Sequence, residues 1–259
     1  MSTIYEFADS LAPFALSKEY CEKYGCRDNS GVQIDCANET KGVLFALDLS
    51  LDAIARAKKI GANCIITHHP AIFNPLYSLE EAGSSKEVLA AAQAGISVLS
   101  SHLNLDTAKG GIDDCLMKGL GGKKADCVMH TLTGGSYGKV FSVTKCEFEK
   151  FLEHVSKEFH TTKIVSYGSG TVKKVASFCG AGMNEESVAF AIESGADTFV
   201  SSDGKHHLIK ELVERGVKVV LLTHYAAEQY GFARYYEKFE KLLKEQGVRA
   251  ELYTDEWFL

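Results

Sequence analysis

Residues 64–70 read Cys-Ile-Ile-Thr-His-His-Pro, a short apolar run that ends in two adjacent histidines and a proline. An apolar, β-branched run of this length is typical of a buried strand. Because successive strand residues point to opposite faces, a regular strand would not direct both imidazoles to one place. Pro70 cannot continue a strand's hydrogen-bond ladder, so it predicts a bend that can bring His68 and His69 to one cavity. Taken alone, the pair is equally compatible with an ordinary polar loop.

The chain around this stretch alternates between strand-like and helix-like segments. Strands are predicted at residues 43–47, 64–67 and 96–99, and helices at residues 50–60 and 84–94. Strands and helices that alternate in this order predict a parallel sheet with helices packed on its faces.

The same arrangement returns in the second half of the chain. Residues 195–201 read GADTFVS and repeat the rhythm of small, polar and apolar residues in GANCIIT at residues 61–67. Strand-like apolar runs lie on both sides of the second copy, so the sequence predicts an internal duplication of a unit of roughly 60 residues. We therefore expect two α/β lobes with mostly parallel sheets, a first lobe at residues 1–125 and a second at residues 126–259.

The segment between the two repeats is less regular. Residues 137–143 predict a strand. Thr144 and Glu147 have the spacing of a capping box, which predicts a helix that ends near residue 159. Residues 163–167 predict another strand that pairs back. This segment either begins the second lobe or bridges the two lobes.

Composition and charge argue against several classes of protein. The 259 residues are 46% hydrophobic, and their net charge of -6 without a long basic run argues against a nucleic-acid partner. The first residues lack the charged and apolar regions of a signal peptide, and no run approaches the ~18 apolar residues of a membrane span. The eight cysteines form no CxxC pair, which argues against zinc-finger and thioredoxin motifs. We expect a soluble, cytoplasmic protein with free thiols and no membrane partner.

Motifs of common nucleotide-binding and serine-dependent enzymes are missing or misplaced. The sequence has no Walker A motif and no G-x-G-x-x-G after a predicted strand. Residues 134–138 spell G-x-S-x-G, but a strand follows where a nucleophile elbow needs a helix. Ser136 is therefore interpreted as a turn residue.

Polar side chains that can bind metal follow four of the predicted strands, at the edge where open α/β sheets bind ligands. The groups are His68 with His69, His102 with Asp106, Asp203 with His206 and His207, and His224 with Glu228. The last pair is four residues apart and shares one face of a starting helix. Imidazoles and carboxylates in this combination suit zinc, manganese, iron or nickel. Because the set exceeds what one tetrahedral ion needs, we expect two ions.

Several neighbouring residues have simpler interpretations. His102 is expected to orient a ligand rather than to bind metal, and Asn104 is expected to shape its loop. Asp203 suits a contact with substrate as well as it suits a cap on the following helix. The remaining histidines are interpreted as exposed or solvated residues: His130, His154, His160, His206 and His207.

Three motifs together resemble the dinuclear-metal family known as GTP cyclohydrolase 1 type 2-like, also called NIF-three-like. They are THHP at residues 67–70 with Phe73, HLNLD at residues 102–106, and HYAAE at residues 224–228. The motifs occur in the family's order and at its approximate separations, and the resemblance covers nearly the whole chain. It implies that the metal ligands are His68, His69, Asp106, His224 and Glu228.

The sequence departs from the family pattern at positions that are not ligands. RDNSGV at residues 27–32 stands where the family commonly has W-D-N-x-G-L. Leu103 stands where threonine is usual, and Thr223 where glycine is usual. We expect the first departure to change packing or the rim of the pocket, while the metal ligands are retained.

The resemblance also implies an architecture and an activity. The architecture is two pseudo-symmetric lobes with the metal site between them and a homo-oligomer, often a ring-shaped hexamer. Some members carry a large domain inserted between the lobes, and this chain is too short for one, so we expect no inserted domain. The activity is that of a dinuclear metal-dependent hydrolase that opens the imidazole ring of GTP through attack at C8, with His102 or a ligand carboxylate moving protons. Two alternatives stay open: a non-catalytic metal-binding ring or regulatory protein, and a metal-dependent phosphoesterase.

Overall fold

The computed structural model of the chain describes residue 1 and residues 3–259 in full. The described residues form two compact units, which we call unit 1 (Met1–Ala108 with Phe232–Thr254) and unit 2 (Lys109–Gly231 with Asp255–Leu259). The lobe boundary predicted between residues 125 and 126 lies within unit 2. Phe232–Thr254 counts with unit 1 because its last strand extends the sheet of that unit.

The elements follow the predicted alternation of helices and strands. Up to residue 108 they are α1 (Ser2–Leu11), α2 (Ala15–Tyr24), β1 (Gly31–Ile34), β2 (Gly42–Ala46), α3 (Leu51–Ile60), β3 (Cys64–Thr67), α4 (Lys86–Gln93), β4 (Ser97–Ser100) and α5 (Leu103–Thr107). From residue 109 they are α6 (Ile112–Gly119), β5 (Cys127–Leu132), β6 (Gly135–Glu147), α7 (Phe148–Glu158), β7 (Val165–Tyr167), β8 (Thr171–Ser177), α8 (Glu185–Glu193), β9 (Thr198–Ser201), α9 (His206–Glu214), β10 (Lys218–Leu221), α10 (His224–Glu245) and β11 (Arg249–Leu252). None of the described helices combines the length and the apolar character that crossing a membrane requires.

The sheet of unit 1 has, within the described residues, the strand order β1-β4-β3-β2-β11. β2, β3 and β4 are parallel, β11 adds a parallel strand at one edge, and β1 adds an antiparallel strand at the other. Leu44, Ile65 and Val98 of the three central strands share one core with Ala53 of α3 and Ala91 of α4. The parallel sheet predicted from the first half of the sequence is therefore confirmed.

The ends of α3 are encoded locally, and they determine where β3 enters the sheet. The backbone N–H of Ala53 donates to the Ser50 hydroxyl at 3.0 Å, which caps the N-terminus. Gly61 ends the helix with a φ of 73°, a left-handed conformation that favours a residue without Cβ. β3 then runs beside β4 with Thr67 opposite Ser100, so the residues that follow these two strands emerge side by side.

The sheet of unit 2 has, within the described residues, the order β5-β6-β8-β9-β10-β7. β8, β9 and β10 are parallel, with α8 and α9 between them in the chain, as in the central part of unit 1. β6 joins β8 in antiparallel orientation, β5 joins β6, and β7 closes the other edge beside β10. The predicted α/β class with two sheets is thus confirmed, and antiparallel strands flank the parallel core of this second sheet.

The capping box predicted at Thr144 and Glu147 is wrong. β6 continues through both residues, with Cys146 opposite Val172 of β8. α7 begins only at Phe148, and its N-cap Glu147 makes no side-chain capping bond. Pairing with β8 overrides the local helix signal here, whereas the predicted end of the helix near residue 159 agrees with the structure.

Candidate metal centre

The chain bends directly after β3. The backbone N–H groups of His68 and His69 both donate to the carbonyl oxygen of Leu47, at 3.1 and 3.0 Å. In a regular strand, consecutive residues would point these groups to opposite sides. The Thr67 hydroxyl donates to the carbonyl of His69 at 2.8 Å and closes the turn. The two imidazole rings consequently lie with their centroids 5.0 Å apart, as the bend predicted at Pro70 requires.

His68 is fully buried, and a hydrogen bond orients its ring. Nδ1 lies 2.7 Å from the carbonyl oxygen of Ser101, and because a carbonyl only accepts, Nδ1 carries the proton. Nε2 therefore has the lone pair, and Oδ1 of Asp106 in α5 is 3.4 Å from it. A histidine that donates through one ring nitrogen is oriented to bind a metal through the other.

The rings of His69 and His102 are anchored through Nδ1 in the same way. His69 Nδ1 is 2.7 Å from Asp48 Oδ1, and His102 Nδ1 is 2.7 Å from Asp28 Oδ1. His68, His69 and His102 each offer one ligand atom, and these atoms lie within 4.8 Å of one another. Such a group of imidazole nitrogens can hold a divalent ion. His102, which the sequence predicts to lie behind the ligands, lies beside two of them in unit 1.

Asp28 anchors His102 as a buried carboxylate. Burial opposes its ionisation, but the hydrogen bond and charge of His102, together with the hydroxyls of Ser17 and Ser30, outweigh burial. These partners hold the pKa of Asp28 well below its usual value. An ionised carboxylate on Nδ1 keeps the proton at that nitrogen and makes Nε2 a better base.

The departure from the family pattern at Arg27 lies beside this anchor and leaves it intact. The Arg27 guanidinium lies 5.3 Å from the centroid of the Phe73 ring and donates to the side chain of Asn74. Phe73 in turn meets the ring of His102 edge-on, with centroids 6.3 Å apart. Arg27 therefore covers an aromatic residue next to the histidines, and the predicted change in local packing is a cation–π contact.

Unit 2 contains a histidine with the same kind of anchor. His224 begins α10, and its Nδ1 is 2.5 Å from Asp203 Oδ2. One turn later, Glu228 Oε1 lies 3.1 Å from His224 Nε2. Burial opposes protonation, but the hydrogen bonds and charges of Glu228 and Asp203 raise the pKa of His224 to about 9. Two carboxylates that attract a proton this strongly also suit a divalent cation, which would replace that proton.

Asp203 follows β9 in a left-handed conformation with a φ of 48°, which aspartate adopts more readily than most residues. The sequence leaves two roles open for it, and the role of a cap on α9 is wrong. The N-cap of α9 is Lys205, and the helix start has no side-chain capping bond. Asp203 instead holds the ring of His224, the role that Asp48 has for His69.

The loop after β8 lies against the two side chains of α10. A Cβ atom on Gly180 would be 2.5 Å from Glu228 Oε1 and 3.4 Å from His224 Nε2. The φ of Gly180 is 58°, so both the space and the backbone conformation favour glycine. In the same loop, the backbone N–H of Cys179 donates to the buried Asp113 carboxylate at 3.3 Å. The loop thus packs closely against the Glu228 side chain.

The other histidines have surface or structural roles. His207 is exposed on α9 opposite Glu185, at 3.6 Å, as predicted. His130 is predicted to be solvated, and that prediction is wrong because β5 carries it into the sheet, where it is only 5% exposed. Its Nε2 lies 3.0 Å from Glu186. His154 donates from Nε2 to the carbonyl of Gly119 at 2.8 Å.

Two anchoring carboxylates, Asp28 and Asp48, are not among the site residues that the sequence predicts. Asp48 comes shortly after β2, at the same edge of the sheet as His68, so the strand-end rule that found the histidines also applies to it. Asp28 lies in an irregular loop, 74 residues before the ring it anchors. Its only signal in the sequence is its place in the motif at residues 27–32.

The sequence model of the Duf34/NIF3 (NGG1p interacting factor 3) family matches residues 1–256. The chain belongs to this family. A relative in Methanocaldococcus jannaschii, a GTP cyclohydrolase 1 type 2 homolog, is 31% identical over 240 residues, and the match covers 90% of this chain and 92% of the relative. NGG1-interacting factor 3 of Saccharomyces cerevisiae is 26% identical and covers 90% of this chain and 89% of its own length.

A solved structure supports the same assignment to the Duf34/NIF3 family. Reduced HcgD from Methanocaldococcus jannaschii is 28% identical to the chain and superimposes with a TM-score of 0.77. The match covers 97% of this chain and 96% of that one. The resemblance inferred from the three histidine motifs is therefore confirmed at the level of the family.

Proposed function

We propose that the chain is a metal-dependent hydrolase that holds two divalent ions. The proposed ligands are His68, His69, Asp106, His224 and Glu228. The observation that carries the proposal is the anchoring of His68, His69 and His224. Each of these rings donates a hydrogen bond from Nδ1 to an oxygen atom, which leaves Nε2 as the nitrogen that can bind a metal.

The two carboxylates support the same assignment. Asp106 Oδ1 is 3.4 Å from Nε2 of His68, and Glu228 Oε1 is 3.1 Å from Nε2 of His224. Both carboxylates are buried, Asp106 at 6% and Glu228 at 2% exposure, where an ionised group needs a cationic partner. A donor set of imidazole nitrogens and carboxylate oxygens suits zinc, iron, manganese or nickel.

The chain's own residues orient the site and handle protons. The carbonyl of Ser101 and the carboxylates of Asp48 and Asp203 keep each ring in the tautomer that presents Nε2. Bound at these ligands, two divalent ions would lower the pKa of a water molecule to about 7 and polarise a substrate oxygen. His102 is held by Asp28, and its side chain is 24% exposed, so it can reach a substrate that the enclosed His68 cannot. We assign to His102 the transfer of a proton at its Nε2.

The substrate that we propose is GTP, and the reaction is hydrolytic opening of its guanine imidazole ring. The support for GTP is the name of the relative that is 31% identical over 90% of this chain, a GTP cyclohydrolase 1 type 2 homolog. We also retain the hexameric ring and the cytoplasmic location that the family resemblance and the sequence predict.

Metal analysis combined with a substrate screen tests this proposal. The purified protein is loaded in turn with zinc, manganese, iron and nickel, and then incubated with GTP and other nucleotides with and without a chelator. We expect two ions per chain and GTP turnover that the chelator abolishes. Asp106→Ala and Glu228→Ala should each reduce bound metal while the circular dichroism spectrum is retained. Full metal binding in either variant would contradict the ligand assignment, and tight metal binding without turnover would contradict the hydrolase.

The name of the yeast relative favours a second candidate, a protein that binds metal and acts through another protein. In that case the ions would organise a binding surface and would not activate water. Tight binding of two ions with no turnover of any nucleotide is the result that would select this candidate over the hydrolase.

A further inference from the structure

Two cysteines meet at the C-terminal end of α2. Cys21 lies in the last turn of the helix, and Gly25 ends it with a φ of 69° and an N–H bond to the carbonyl of Cys21. This turn brings Cys26 back towards the helix, so that the two Sγ atoms are 2.8 Å apart. The separation approaches the ~2 Å of a disulfide bond, and both residues are free thiols.

The pair is open to small molecules. Cys26 is exposed and Cys21 is half-buried. Both line an open groove of about 480 Å³ between α2 and residues 26–30, together with Lys18 and Arg27. An extended tripeptide or a small disulfide compound can therefore reach the sulfur of Cys26 directly.

The two thiols differ in reactivity. Burial, followed by the hydrogen bond to Cys26 and its charge, raises the pKa of Cys21 to about 12. Cys21 therefore stays protonated as long as Cys26 is not bonded to another sulfur. Because Cys26 is exposed and Cys21 is half-buried, an oxidant in solution reaches Cys26 first. Once the Cys26 sulfur is bonded to another sulfur, burial remains the main cause of the raised pKa of Cys21. Cys21 is nevertheless the nearest attacking group, because its Sγ lies 2.8 Å from that of Cys26.

We propose that Cys21 and Cys26 form a reversible redox pair, oxidised by low-molecular-weight disulfides, that controls the mobility of the segment at residues 26–30. The Cys26 thiolate attacks one sulfur of the oxidant, forms a mixed disulfide and releases the first small thiolate. Cys21 then loses its proton to water and attacks the Cys26 sulfur, which releases the second small thiolate. The two cysteines together lose two electrons and two protons, and the small disulfide is reduced to two thiols.

Oxidation would act on the segment that anchors His102. Asp28 lies two residues after Cys26 and accepts the Nδ1 hydrogen bond of His102 at 2.7 Å. Asn29 follows and donates to the carbonyl of Ile72 at 2.5 Å. Because the sulfurs are already close, the disulfide would hold the segment covalently in the arrangement described here, whereas only noncovalent contacts hold it in the reduced form. Transient disulfides of this kind are the ones that intracellular proteins use for redox sensing.

Thiol counting on the full-length protein tests the chemistry. The protein is equilibrated in mixtures of reduced and oxidised glutathione, quenched in acid, unfolded, alkylated and weighed by mass spectrometry. In the oxidising mixture we expect six alkyl groups instead of the eight of the reduced chain, and a peptide in which Cys21 and Cys26 are joined. Excess reduced glutathione should restore all eight.

Two serine variants provide the controls. Cys36→Ser removes a partly exposed cysteine outside the pair and should still lose two alkylation sites on oxidation. The Cys26→Ser variant should lose no pair of alkylation sites on oxidation, since Cys21 then has no second cysteine with which to form the disulfide. A stable glutathione adduct on Cys26, with Cys21 still open to alkylation, would overturn the proposal.

Hydrogen exchange tests the effect on the segment, independently of bound metal or activity. Amides of residues 26–30 should exchange several-fold more slowly in the oxidised than in the reduced wild type. The Cys26→Ser variant should show the same rate in both buffers. Equal rates for oxidised and reduced wild type would show that the pair does not control the segment.

Discussion

At the scale of single residues, what characterises the candidate centre is the nitrogen through which each ring is anchored. His68, His69, His102 and His224 all use Nδ1, although one acceptor is a carbonyl and three are carboxylates. Each of these four rings therefore holds a proton on Nδ1 before any metal arrives. Variants of the rings and variants of their anchors should have different effects.

His102 and His68 are expected to respond differently to truncation. His68→Ala removes a proposed ligand, so at least one ion should be lost outright. His102→Ala should keep most of the metal and lose activity, since changes behind the ligands typically cost about 10–100-fold. Elemental analysis of the two variants beside wild type makes the comparison. Equal metal loss in both would show that His102 is a direct ligand, which its position beside His68 permits.

Asp28→Asn is the matched variant for His102, because it keeps the ring and removes the charge of its anchor. Asp28 and His102 form one hydrogen-bonded pair, so both variants should lower turnover. In the asparagine variant, turnover should fall by about 10–100-fold while bound metal is retained, since an amide holds the Nδ1 proton of the ring less strongly than an ionised carboxylate does. Unchanged turnover would exclude a role for this pair in proton transfer.

His224 predicts a pH dependence for the metal-free protein. Glu228 and Asp203 raise its pKa to about 9. Protonated His224 therefore stabilises the fold fully below the ordinary histidine pKa of about 6.5, and this contribution is lost as the pH rises through the folded value. Thermal unfolding of wild type and Glu228→Gln should show a stability difference that shrinks over this window. A difference that stays constant with pH would show that the pair does not share a proton.

At the scale of elements, the sequence correctly predicts the buried central strands and, outside them, the strand within β6 and the exposed edge strand β7. β2, β3, β4, β9 and β10 are short, apolar and followed or preceded by glycine or a polar turn, so their signal is local. β1 and β11 were not predicted, because these edge strands mix polar and apolar residues and exist through pairing with distant partners. The capping box at Thr144 fails for the same reason.

The residues of the site also divide into those with a local sequence signal and those that depend on distant partners. The proposed ligands follow strand ends, His68, His69 and Asp106 in the sheet of unit 1 and His224 and Glu228 in the sheet of unit 2, and the strand-end rule together with the family motifs found them. Asp28 and Asp48 act as hydrogen-bond acceptors for rings 74 and 21 residues away. The pairing of each carboxylate with its ring depends on the tertiary fold, and for Asp28 no strand end or periodicity reports it.

Gly180 provides a test of the loop after β8. Gly180→Ala would place a Cβ 2.5 Å from Glu228 Oε1, so the carboxylate must move and metal affinity should fall by at least tenfold. Gly195→Ala is the control, because Gly195 has a φ of 69° and nothing within 4 Å of the added atom. Both variants share a backbone penalty of about 1–2 kcal/mol, so their difference in metal affinity isolates the contact. Equal metal affinities in the two variants would show that the loop does not contribute to the site.

At the scale of the whole molecule, the proposed assembly gives a direct measurement. The chain has a mass of 28.2 kDa, and light scattering of a hexamer should report six times that value. The mass should be measured with metal bound and after chelation, because ligand loss and subunit dissociation are separate events. A single species at the mass of one chain would exclude the ring and leave the metal site untouched.

The anchor of His68 has a genetic consequence. Its acceptor is the main-chain carbonyl of Ser101, which every amino acid possesses, so no point mutation at position 101 deletes it. The acceptors of His69 and His224 are side chains, and one base change in the codon of Asp48 or Asp203 converts either into asparagine. In descendants of this gene, a single mutation can therefore change the basicity of the His69 or His224 imidazole. The orientation of His68 is retained as long as the backbone keeps its conformation.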